Sequence, residues 1–97
     1  MGVAVIIGVL YIELFIPGSG SLKTKRFSIK SIKDRLRNRF NVSVAEIDHT
    51  DKWQRSSLGV VAISNEPKHV ESILGNVMNL VNGDCRVEVI DSTVHFV

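Results

Sequence analysis

Apolar residues recur along this 97-residue chain with two different periods, and the changes between them mark out its elements. From Val3 to Ile16 nearly every position is apolar, and Glu13 is the one charge. The run is rich in Val and Ile, which are stiff at χ1 and pack well on a pleated surface, so it predicts a long buried strand. Pro17-Gly18-Ser19-Gly20-Ser21 is a turn signal. Leu22, Ile29, Ile32, Leu36 and Phe40 then share one helical face, predicting an amphipathic helix over 22–40 with Ser21 as its N-cap. Residues 42–49 predict a second strand, 50–56 a polar connection, and Leu58–Ser64 a third strand. Val70, Ile73, Leu74, Val77 and Val81 trace a second helix, with Glu66 as cap, Pro67 in the first turn and Asn82-Gly83 as its stop. Cys85–Val97 closes the chain as a fourth strand, with an interruption expected around Asp91-Ser92.

The order β-α-β-β-α-β predicts one α+β domain over 1–97. It is a ferredoxin-like sandwich in which two helices cover one face of a four-stranded antiparallel sheet. The strands carry a further expectation. In the first, even positions (Ala4, Ile6, Leu10, Ile12, Leu14) and odd positions (Val3, Val5, Ile7, Val9, Tyr11) are both apolar. In the third, Val60 and Ala62 oppose Val61 and Ile63. A sheet with one wet face alternates, so continuous apolarity predicts a cover on both faces. With only two helices to supply it, the second cover is expected to be another copy of the chain. The predicted homodimer meets through the open sheet face at Val5, Ile7, Val9 and Tyr11.

Composition sharpens this picture through charge. The net charge is +2, but Lys23 to Arg39 holds eight basic residues against Asp34 alone, a local +7 on a remainder of −5. At 100° per residue Arg26, Lys30, Lys33 and Arg37 fall in a stripe about 60° wide. Lys25, Arg35 and Arg39 are assigned to the other flank, and Lys23 lies near the helix start. Like charges one turn apart repel, and nucleic-acid phosphates relieve that repulsion while releasing counterions. Lys23, Lys25, Arg26, Lys30, Lys33 and Arg37 are therefore the candidate nucleic-acid-binding residues. The competing explanations are long basic stems covering an apolar seam, or pairing with the acidic remainder. Only six aromatics are present and none lies on the third strand, so RNA would be held by backbone and shape rather than on a stacking sheet.

Other chemistry is sparse. The 14-residue apolar opening falls short of the roughly 20 residues of a membrane span, and it lacks the pattern of a signal peptide. Cys85 is the single cysteine, which excludes an internal disulfide and a cysteine zinc site, fits a reducing cytoplasm, and reads as an apolar filler. The connection Asp48–Arg55 gathers His49, Asp51, Trp53 and Arg55 as a candidate loop site. His49 oriented by Asp51 is its catalytic version, but no nucleophile accompanies it, and the preferred roles are Trp53 as a lid on the sheet edge or a part of the dimer contact, and Arg55 in an ion pair with a nearby acid. Asp48, His49 and Asp51 make a poor metal site, because adjacent strand positions point to opposite faces. Gly18–Lys23 lacks the phosphate-loop pattern. No cofactor, metal or catalytic residue is predicted.

Leu22-Lys-Thr-Lys-Arg26, the run Leu36–Glu46, Asp48-His49 through Trp53-Gln54-Arg55 to Leu58-Gly59-Val60, and Lys68–Glu71 together resemble the YlxP-like family of small bacterial proteins. The likeness covers nearly the whole chain and departs from the family pattern at Thr24 and Phe27. It implies a ferredoxin-like fold, a cytoplasmic bacterial protein and genes for translation initiation and ribosome maturation nearby; it supplies no catalytic residue. Together these readings predict a non-catalytic module that binds RNA or a ribosomal particle through its first helix. The alternative is a homodimeric protein-interaction module with no nucleic-acid role.

Overall fold

The computed structural model describes residues 2–97. The elements are β1 (Ile6–Phe15), α1 (Leu22–Arg39), β2 (Val42–Asp48), β3 (Arg55–Ser64), α2 (Pro67–Asn82) and β4 (Glu88–Phe96). The sheet order is β2-β3-β1-β4 and every neighbouring pair is antiparallel. This is the expected ferredoxin-like arrangement, with both helices on one face.

Several boundaries move for local reasons. β1 begins at Ile6 rather than Val3, where pairing with β3 begins opposite Ser64. β3 starts at Arg55, three residues early, because Arg55, Ser56 and Ser57 pair with Phe15, Leu14 and Glu13. β4 starts only at Glu88, since Asp84 to Val87 form a turn closed by the Val87 amide on the Asp84 carbonyl. The expected interruption at Asp91-Ser92 is a bulge instead: Asp91 faces Glu13 and Val89 faces Leu14, leaving Ile90 as the extra residue. A second bulge leaves Ile47 unpaired in β2.

Ser21 caps α1 as expected, its hydroxyl accepting the Thr24 amide at 3.1 Å. Glu66 holds the N-cap position of α2, but its side chain makes no cap bond; Pro67 supplies the helix start. Even-numbered β1 residues Leu10, Ile12 and Leu14 join Leu58, Val60 and Val44 beneath Ile29, Ile32 and Leu36 of α1 and Val70, Leu74 and Val77 of α2. All are buried, and each large side chain contributes about 1.5–3 kcal/mol relative to exposure.

The open face is less uniformly apolar than the strand pattern suggests. Ile7, Val9 and Tyr11 face Ile63, Val61 and Gly59 at one end, and Glu13 and Phe15 face Ser57 and Arg55 at the other. β4 adds Asp91, Thr93 and His95 to that face, opposite Glu13, Tyr11 and Val9. One half is an apolar surface and the other a polar cluster.

Gly8 sets the approach of α2. A Cβ there would lie 2.5 Å from Val70 Cγ1 and 3.1 Å from Leu74 Cδ1. Val70 is β-branched and buried, so it cannot swing clear. Gly8→Ala is expected to destabilise the fold by about 1–3 kcal/mol in urea denaturation despite alanine's better strand propensity.

Candidate polyanion interface

The helix α1 carries most of the positive charge, and its packing sorts those cations into different roles. Lys25 corrects the sequence reading most. Its side chain is 0% exposed, so it is no part of a nucleic-acid surface. At 100° per residue position 25 falls among Ile29, Ile32 and Leu36 rather than on a flank. The Lys25 ammonium donates to the His49 carbonyl at 2.7 Å and meets Glu46 Oε2 at 2.8 Å. Ser56 Oγ donates to the same carboxylate oxygen at 2.6 Å. A buried ammonium is tolerated because fixed acceptors replace its water.

The outer side of α1 keeps the stripe. Because the helix is already regular at Leu22, Lys23 joins Arg26, Lys30, Lys33 and Arg37 in one band about 80° wide. Asp34 neutralises part of it, with Lys30 Nζ at 2.6 Å and Arg37 at 3.8 Å. The Lys30 hydrogen bond is the main reason that the Asp34 carboxyl sits below its ordinary range. Arg37 also donates to the Val44 carbonyl at 2.7 Å, bracing α1 against β2. Among the described residues Lys23, Arg26, Lys33 and Arg39 form no salt bridge. Arg39 lies over the Phe40 ring, 5.8 Å from its centroid. A depression of about 320 Å³ between α1 and β2 is lined by Arg26, Lys30, Lys33 and Arg37, with Asp34 and Glu46 on its walls.

Arg35 lies on the flank of α1 opposite the stripe. It meets the buried Asp84 carboxylate at 3.1 Å, and Arg86 holds the same group through Nε at 3.0 Å and NH2 at 2.7 Å. Hydrogen bonding from Arg86 keeps the Asp84 carboxyl below its usual range and raises Arg86. Arg86 reaches Ser31 as well, tying the α2–β4 turn to α1. Cys85 in that turn is exposed, not an apolar filler, because strand β4 begins three residues later.

The loop candidates assemble differently from the His49–Asp51 expectation. His49 has φ +60°, and its Nε2 lies 3.5 Å from Glu13 Oε2 and 4.0 Å from Asp48 Oδ2; Asp51 is not its partner. Arg55 forms the expected ion pair, reaching Glu13 at 3.2 Å. Ser57 donates its hydroxyl to the other Glu13 oxygen. That bond, ahead of the Arg55 and His49 charges, lowers the Glu13 carboxyl from its ordinary value. Ser57 is thus committed to the Glu13 carboxylate. Trp53 stays exposed on the loop. His49 is held from both sides of the sheet, its carbonyl by Lys25 and its ring by Glu13. Among the described residues no group of three or more His, Cys, Asp or Glu has a metal-binding arrangement. No helix among them is long and apolar enough to cross a membrane.

Comparison with known proteins places this arrangement in a family. Residues 7–94 match the model for a protein of unknown function, DUF503. The chain belongs to this family. It is also 39% identical over 82 residues to the uncharacterised protein YlxP of Bacillus subtilis (strain 168), covering 84% of this chain and 89% of that one. The resemblance seen in the sequence is therefore a family relationship. Among solved structures, a de novo designed protein, Foldit4, superposes with a TM-score of 0.54 at 13% identity, covering 96% of both chains. At that identity the likeness concerns the fold alone.

The Lys25–Glu46 pair makes the site's support testable. Lys25→Met leaves Glu46 without its cation and the His49 carbonyl without its donor, and is expected to cost about 3–5 kcal/mol in urea denaturation. Adding Glu46→Gln should recover part of that loss, because the two groups act as one unit.

Proposed function

We propose that this protein binds RNA or a similar polyanion through the outer stripe of α1, as a non-catalytic cytoplasmic module connected with translation or ribosome assembly. The observation that carries this reading is the band Lys23, Arg26, Lys30, Lys33 and Arg37, with Asp34 as its one acid and three of its cations without a salt bridge among the described residues. Such a band attracts phosphates and releases their counterions. The connection with translation is supported by the gene neighbourhood that the family resemblance implies.

A second reading, a homodimeric interaction module, draws support from the open sheet face. Tyr11, Val61 and Ile63 are exposed there, and Val9, Tyr11, Ala45, Ile47 and Val61 line a shallow depression of about 340 Å³. Val5 is exposed just before β1 and extends the same apolar end beyond Ile7.

The two readings separate cleanly. In filter binding to ribosomal RNA, log affinity should fall with log salt with a slope of about −3 to −4 for roughly five phosphates. The combined change Arg26→Glu, Lys30→Glu, Lys33→Glu and Arg37→Glu should abolish binding; unchanged affinity sinks the first reading. For the second, sedimentation should show a dimer that Tyr11→Lys converts to monomer, whereas a wild-type monomer at all concentrations removes it.

A further inference from the structure

The helix α1 carries one feature that phosphate attraction does not explain. Phe27 is 73% exposed. On the helical wheel it lies nearly opposite the buried stripe of Ile29, Ile32 and Leu36, where a soluble helix normally places polar side chains. Lys23 and Lys30, at i−4 and i+3, are its neighbours on the basic side. Phe27 also stands as a ridge between two hollows. One, of about 360 Å³, runs toward Ile16, Pro17, Cys85 and Arg86. The other, of about 250 Å³, is lined by Lys30, Ser31, Asp34, Arg35 and Asn38. Each hollow therefore pairs an aromatic wall with a guanidinium.

Resting on the polyanion reading, we infer that Phe27 is a base-stacking residue and that the preferred ligand is single-stranded nucleic acid. An aromatic ring beside a cationic track is how proteins hold unpaired bases without reading their sequence, since every base offers a π-face. A duplex keeps its bases stacked internally and offers Phe27 nothing, so flexible single strands gain where duplexes and base-free polyanions do not. Lys23 and Lys30 hold phosphates on either side of the base, and the flanking hollows leave room for bases next to the ring. The sheet face, which lacks aromatics on β3, is not required.

The test compares two labelled 12-mers of equal phosphate number by fluorescence anisotropy, oligo(rA) and its abasic counterpart. Wild type should bind oligo(rA) about tenfold more tightly, within the range of one stacked base. Phe27→Ala and Phe27→Leu should each lower oligo(rA) binding to the abasic level while leaving abasic binding unchanged, and Phe27→Trp should keep the preference. Circular dichroism checks that each variant is folded, and the exposed position makes that the expected result. Equal affinity of wild type for both oligomers, unaffected at Phe27, overturns the inference and leaves the ring as a contact for a protein surface. Absence of binding to either oligomer is a separate failure: it removes the polyanion reading and the stacking role with it.

Discussion

The ammonium of Lys25 decides how the first helix sits on the sheet. It is held on one side by Glu46 of β2 and on the other by the carbonyl of His49, the one non-glycine residue of positive φ among the described residues. An unpaired ammonium in that position is far too costly to keep, so the rotation of α1 about its axis is set by the need to satisfy it. With Lys25, Ile29, Ile32 and Leu36 turned inward, Lys23, Arg26, Lys30, Lys33 and Arg37 fall together on the flank of the helix that faces the β2 side. Arg37 on the Val44 carbonyl and Arg35 on Asp84 brace the helix from its two flanks.

The same end of the sheet gathers most of the buried polar contacts. Ser56 and Ser57 are adjacent in β3 and point to opposite faces, so one serves Glu46 beneath the helices and the other Glu13 on the open side. Two small networks thus meet across the sheet at His49. Both serines donate to a carboxylate that a cation also meets, Lys25 at Glu46 and Arg55 at Glu13, and among the described residues Arg55 Nε is the one buried side-chain donor left without a partner. Surface charge and the apolar half of the open face are what remain for recognition.

Much of this was legible along the chain. The 3.6-residue spacing of Leu22, Ile29, Ile32 and Leu36 located α1, and the charge block located its outer surface. Position 25 was even signalled by spacing, since a core residue is due between Leu22 and Ile29, but a lysine there argues for solvent until its acceptors are known. Glu13 stood out as the single charge in an apolar run, yet its partners Arg55 and Ser57 are more than 40 residues away and are named only by the β1–β3 register. Glu13 also marked where the open face turns polar beyond Tyr11, but Asp91 and Thr93, which β4 brings to that face from the far end of the chain, are placed there only by the β1–β4 register.

Order, element type and the existence of a basic helix were determined by the sequence alone, because each depends on periods of two or 3.6 residues and on local turn chemistry. Which cations are free was decided only by the tertiary structure. Lys25, Arg35 and Arg37 look alike in the sequence, but one is buried on Glu46, one is paired to Asp84 and one is bonded to a strand carbonyl. The physical reason is that a charge's energy depends on what lies within a few ångströms of it, and those neighbours come from segments that the chain keeps far apart.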